Sequence, residues 1–159
     1  MQTDAGAADA EGGAPDLLAI NRRVVEAFNR GGLEEVREFF DPEVELYDPD
    51  LPADLELRGR DALLRTLSEL VDAFDAMQIR SIEMYQAGDR VLSLIRTAAR
   101  GEGTRGEMEL EFHDAHVTTY RGGRVTYWRI YHDQREAFGE VGLAPAAPGE
   151  PHRVDTAAR

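Results

Sequence analysis

At Gln78 the period of the chain changes, and this constrains the fold more than any other feature. Upstream, Leu17, Ile20, Val24 and Phe28 recur as one stripe of an amphipathic helix. Gly31-Gly32 ends it, and Leu33 to Phe40 reads as a short second helix with Leu33, Val36 and Phe40 on one face. Asp41-Pro42 then breaks the chain, Val44 to Tyr47 reads as a short strand, and Asp48-Pro49 with Pro52 forms a loop. Leu63, Leu67, Leu70 and Phe74, flanked by Leu64 and Val71, mark a third helix. Downstream, 79–87, 90–100, 107–121 and 124–131 alternate as strands, with tight-turn signals at Gly88-Asp89 and Gly122-Gly123. Asp133 with Glu136 has the spacing of a capping box and opens a short last helix that ends at Gly142. Helices first and meandering strands last predict an α+β domain. A curved antiparallel sheet carries helices on one face, with a cavity on its concave side.

A chain of 159 residues suits one domain. Residues 1–14 and 144–159 are rich in Ala, Gly, Pro and acids and lack large apolar side chains, so both are expected to be disordered tails around a domain spanning 15–143. Eighteen basic against 31 acidic side chains leave a net charge of −13, which repels phosphate backbones and anionic lipid. Neither nucleic acid nor a membrane is an expected partner. The chain has no cysteine, no apolar run long enough to span a bilayer, and no basic, apolar leader at its start. A cytoplasmic location without cofactor is the expectation. His113 and His116 point to opposite faces of an alternating strand and cannot share a metal ion.

The segments VVEAFNRGGLEEVREFFDPEVELYDP, LRGRDALLRTLSEL and GGRVTYWRIYHD resemble the SnoaL-like polyketide cyclases, in the superfamily that includes nuclear transport factor 2 and the ketosteroid isomerases. The resemblance runs from about Asp16 to Leu143. It implies a cone: a curved, mixed sheet, about three N-terminal helices packed on its concave face, and a short C-terminal helix. It also implies a homodimer through the convex sheet face. It leaves activity open, because this scaffold hosts isomerases, cyclases, dehydratases, epoxide hydrolases and proteins that catalyse nothing.

In such relatives the tryptophan matching Trp128 faces the pocket, which sets the strand phases. Trp128 and Ile130 then point inward, as do Leu92, Leu94, Arg96 and Ala98 on one neighbouring strand and Phe112, Asp114 and His116 on another. Val91, Ile95, Val117, Tyr127 and Tyr131 point outward, an apolar patch that a second copy would cover. Asp48 sits where ketosteroid isomerases place an Asp-Pro general base, and burial would raise its pKa toward a useful range. The same Asp-Pro also suits an ordinary turn. Tyr47, its neighbour, points to the opposite side of a regular strand. Asp114 is the expected partner of Arg96, and His116 could exchange a proton with a bound oxygen. Phe28, Tyr47, Arg96, Phe112, Trp128 and Ile130 are the candidate binding residues, and Asp48, Asp114 and His116 the candidate catalysts. His113 and His132 are left outside the site.

Departures from the relatives narrow the chemistry. Ala98 and Ile130 stand at the two aspartate positions of limonene-epoxide hydrolases, and Val24 stands near the tyrosine that holds the enolate in ketosteroid isomerases. The expected function is a pocket for a small hydrophobic molecule, with acid–base proton transfer on a carbonyl compound. The alternative is a non-catalytic ligand-binding or dimerisation domain of the same fold.

Overall fold

The computed structural model describes residues 15–52 and 57–144. The two expected tails, apart from Ala144, lie outside them. Helix α1 (Leu17–Gly31) starts where the Asp16 carboxylate accepts from the Ala19 amide and ends at Gly32, whose φ of +76° suits a residue without Cβ. The second helix is shorter than its sequence implied. After α2 (Leu33–Val36) and a single 3₁₀ turn (Arg37–Phe39), strand β1 (Phe40–Tyr47) begins at once. Asp41-Pro42 does not break the chain; it lies in β1, between Phe40 and Glu45, where the pairing to β6 shifts register. A two-residue strand, β2 (Leu57–Arg58), was too short to show periodicity. Next come α3 (Arg60–Asp72), β3 (Ala76–Ala87), β4 (Arg90–Gly103), β5 (Gly106–Arg121), β6 (Arg124–Tyr131) and α4 (Gln134–Glu140).

The six strands form one sheet in the order β2-β1-β6-β5-β4-β3. β1 and β6 run parallel and every other pair is antiparallel, so the sheet is mixed and curved, as a cone requires. Gly122 and Gly123, both at positive φ, close the β5–β6 hairpin with the two left-handed residues that fit the twist of paired strands. The β4–β5 arm pairs up to Gly103 and Gly106, so its tip is Thr104-Arg105 and both strands run on past the limits expected at 100 and 107.

On the concave face, α1, α2 and α3 meet Phe40, Val44, Leu46, Met84, Val91, Tyr120 and Val125, with Phe28, Trp128 and Ile130 packed alongside. A polar hub pins α1 there. Buried Asn21 donates to Ser93 Oγ at 2.8 Å and Met84 Sδ at 3.1 Å, and its Oδ1 accepts from the Tyr120 hydroxyl at 2.8 Å. One turn before the helix ends, Asn29 donates to the Ile79 carbonyl and accepts from the Ile79 amide, standing in for a neighbouring strand at the sheet edge. The convex face has its own core, where Leu92, Leu94, Ala115, Val117 and Tyr131 lie beneath Ala137, Phe138 and Val141.

That second core corrects the phase expected for β4. Leu92 and Leu94 lie under α4, so Arg96 and Ala98, which continue their alternation, share the convex face, and Val91 packs on the concave side with Ser93. Most of the patch invoked for a dimer dissolves accordingly: Val91 and Ile95 are on the helix side, Val117 and Tyr131 are buried against α4, and Tyr127 remains half-buried on the convex face.

Candidate functional site

The C-terminal end of β1, the middle of β5 and the end of β6 meet at one corner of the concave face. Trp128 of β6 is flanked by Leu46 of β1 and Thr118 of β5, and Ile130 stands opposite His116. The His116 ring lies 5.2 Å from that of Trp128, and Phe40 stacks on Trp128 at 6.1 Å. The indole N–H is buried and meets no acceptor among the described residues. Burial pushes the His116 imidazole down to about 4, against an opposing pull from Asp114. At neutral pH it is therefore uncharged, with one nitrogen able to donate and the other to accept.

Asp114, two residues earlier on the same face, bonds to His132 Nδ1 at 2.8 Å, and His132 Nε2 lies 3.0 Å from Asp50 Oδ1. Asp48 adjoins this group and accepts from the Asp50 amide at 2.9 Å, the closed turn expected of an Asp that ends a strand. Burial raises its pKa above the usual carboxylate value. The Asp50 amide opposes that rise, the Asp50 charge adds to it, His132 opposes it and Asp114 adds to it. Beside Asp48, a cleft of about 350 Å³ is walled by Leu46, Tyr47, Pro49, Leu51 and Leu57 among others. Among the described residues, no three carboxylate or imidazole groups are arranged to hold a metal ion.

The structure thus brings together Asp48, Asp114, His116, Trp128 and Ile130. It separates four others. Arg96 faces the convex side, where its nearest acid is Glu111 at 3.8 Å, so the expected Arg96–Asp114 pair does not form and Asp114 is held by His132 instead. Tyr47, 50 % exposed, also turns to the convex face, where the Arg129 guanidinium lies 4.8 Å over its ring, although it still walls the cleft beside Asp48. Phe112 keeps the concave phase but sits at the far rim, 40 % exposed and edge-on to Phe74 at 6.3 Å. Phe28 packs within the helix-side core.

His132 and Asp50 are the residues that sequence reasoning missed. His132 stands one position past the end of β6, where alternation no longer says which way a side chain points, and Asp50 is 82 positions away. The available signal was chemical: a histidine next to the strand that carries the pocket tryptophan, in a chain with a cluster of acids after β1.

Comparison with known proteins agrees with the architecture. Similar structures include an NTF2-like protein of unknown function from Burkholderia pseudomallei, with TM-score 0.63 and 19 % identity over 80 % of this chain and 98 % of that one. A protein of Xanthomonas campestris provisionally named a polyketide cyclase has TM-score 0.61 and 21 % identity over 79 % of this chain and 96 % of that one. AclR of Streptomyces galilaeus, provisionally named a hydroxylase, has TM-score 0.61 and 20 % identity over 84 % and 85 % of the two chains. At these identities the likeness is one of fold. No functionally curated protein matches the chain. The SnoaL-like domain model matches residues 21–128, from the Asn21 hub to the pocket tryptophan, and the chain belongs to the SnoaL-like family.

Proposed function

We propose that this domain binds a small hydrophobic carbonyl compound and moves a proton on it, with Asp48 as the base. The reading is supported by the partly desolvated Asp48 carboxylate, which lines a cleft, with the neutral His116 imidazole and the unpaired Trp128 indole N–H buried on neighbouring strands. Asp48 would take a proton from the carbon next to the carbonyl, and the electron pair left behind would move onto the carbonyl oxygen. The His116 and Trp128 N–H groups would donate to that oxygen as its charge grows, an arrangement that gains strength where water is excluded. On a substrate with a double bond conjugated to the enolate, Asp48 would then return the proton to the far carbon, giving an isomer; or the enolate carbon would attack an intramolecular carbonyl, closing a ring as that carbonyl's electron pair moves to its oxygen, which takes the proton from Asp48. The names of some structural relatives, polyketide cyclase among them, are in keeping with such substrates.

The test is turnover of steroid-like enones and aromatic polyketide intermediates by wild type, Asp48→Asn and His116→Ala. Loss of a general base is expected to cost about 10²–10⁴-fold in kcat. Equal turnover by wild type and both variants would remove these residues as catalysts.

A homodimer through the convex face is also proposed, on a base different from the apolar patch. The exposed Tyr47 ring and the Arg129 guanidinium stacked on it form an aromatic, cationic surface in a strongly acidic chain, suited to acids of a second copy.

A further inference from the structure

The His132 bridge joins two parts of the chain that no backbone pairing joins at this point. One is Asp114 on β5; the other is the loop 48–52, which carries Asp48 and whose Asp50 amide donates to the Asp48 carboxylate. We propose that His132 is a positioning residue: its imidazolium, donating to Asp114 and Asp50 at once, latches the loop 48–52 to the sheet and thereby places the Asp48 carboxylate. The consequence for catalysis rests on Asp48 being the base, but the latch itself does not.

The chemistry of the ring makes the latch a proton switch. Imidazolium has two N–H donors, whereas neutral imidazole has one, so only the protonated form can donate to both carboxylates. Hydrogen bonds donated to the Asp114 and Asp50 carboxylates favour the charged form and raise the His132 pKa above the usual histidine value. The groups facing the ring are Asp114 from β5 and Asp50 and Asp48 from the loop. Asp133, the next acid on its own segment, is taken up by the amide and guanidinium of Arg135. Below its midpoint the ring holds both arms. Above it one arm must open, and that arm is Asp50: its side chain is 74 % exposed and its bond is the longer, against 23 % and 2.8 Å for Asp114. The loop is thus held while the ring is protonated and released as pH rises through the His132 midpoint, which lies above the usual histidine value.

Asp48 is coupled to both ends of the bridge with opposite signs, since the His132 charge lowers its pKa and the Asp50 charge raises it. The experiment is a pH titration of the full chain by NMR, following the Asp48 carboxyl carbon, the Asp50 and Leu51 amides and the His132 ring in wild type, His132→Gln and Asp50→Asn. In wild type the two loop amides are expected to shift with the His132 midpoint. In His132→Gln that inflection disappears and the Asp48 midpoint moves up; in Asp50→Asn the Asp48 midpoint moves down. Loop amides that ignore the His132 titration, or an Asp48 midpoint that moves the same way in both variants or not at all, would overturn the proposal. Both substituted side chains are exposed, 51 % for His132 and 74 % for Asp50, so the variants keep the fold, and none of these readouts needs turnover. A chain that shows the latch but no activity would refute the base assignment alone.

Discussion

Burial acts on Asp48 and His116 toward the same end, because it disfavours the charged form of each: the carboxyl is pushed up and the imidazole down. For Asp48 the folded chain binds its proton more tightly than the unfolded one. Ionising it therefore costs stability, and that cost is in place once the pH exceeds the raised value. Asp48→Asn keeps the oxygen that accepts from the Asp50 amide and removes the charge. It should be slightly more stable than wild type at pH 7 in urea unfolding, while losing turnover. Activity that depends on the ionised base should rise with pH through that same raised midpoint, which a kcat/KM profile would read. For His116 the folded pKa of about 4 lies below the ordinary 6.5, so the unfolded chain binds more protons between the two. Stability contributed by the neutral ring is complete above 6.5 and is lost as pH falls toward 4, by on the order of 1–3 kcal/mol. The loss of stability between pH 7 and pH 4.5 should be visibly smaller in His116→Gln than in wild type; equal losses would show that His116 is not the group responsible.

Among the elements, α1 is held by polar contacts as much as by its apolar stripe. Asn21 lies on the buried side of the helix, an unlikely place for an amide unless its hydrogen bonds are made, and Ser93, Met84 and Tyr120 make them. Asn21→Ala would leave the Tyr120 hydroxyl without its acceptor in a place water cannot reach. A loss of about 2–3 kcal/mol is expected from equilibrium unfolding. Helix α4 holds the convex face in a different way. Phe138 meets Tyr85 edge-on at 5.4 Å above Leu92, Leu94 and Val117. Phe138→Ala should cost about 3–5 kcal/mol and expose apolar sheet surface, detectable as increased binding of a hydrophobic dye. The same helix explains why apolar residues on the outer face do not by themselves call for a second subunit.

At the scale of the whole molecule, the sheet separates two environments. Its concave side joins the helix core to a polar corner, a cleft at the end of β1 takes walls from both faces, Leu46 on one and Tyr47 and Tyr127 on the other, and its convex side divides into a covered apolar half and an arm bearing charges such as Arg96 and Glu111. No helix among the described residues is long and apolar enough to cross a membrane. If Tyr47 and Arg129 form the dimer contact, light scattering after size exclusion should give a dimer at micromolar concentration, and Tyr47→Glu should return it to monomer without lowering the melting temperature by more than a few degrees. A monomeric wild type would refute the dimer and leave the site untouched, since every group in it comes from one chain.

The amino-acid sequence by itself determined most of the elements and their order, β2 and the early start of β1 excepted, because helical and alternating periods, turn glycines and caps are local properties that a few neighbouring residues decide. Through the family pattern and the alternation within single strands it also singled out Asp48, Asp114, His116 and Trp128, which the fold brings to one corner. It did not determine the phase between strands. A two-residue turn, as between Gly103 and Gly106, makes residues of opposite odd–even number share a face, which is why Ser93 rather than Arg96 stands beside His116. The β5–β6 hairpin begins the same way, but its irregularity after Thr119 restores the match, so His116 and Trp128 do share a face. Nor could it reveal the Asp114–His132–Asp50 bridge, because contacts between residues 18 and 82 positions apart exist only once the sheet has closed and brought the ends of β1, β5 and β6 to one corner.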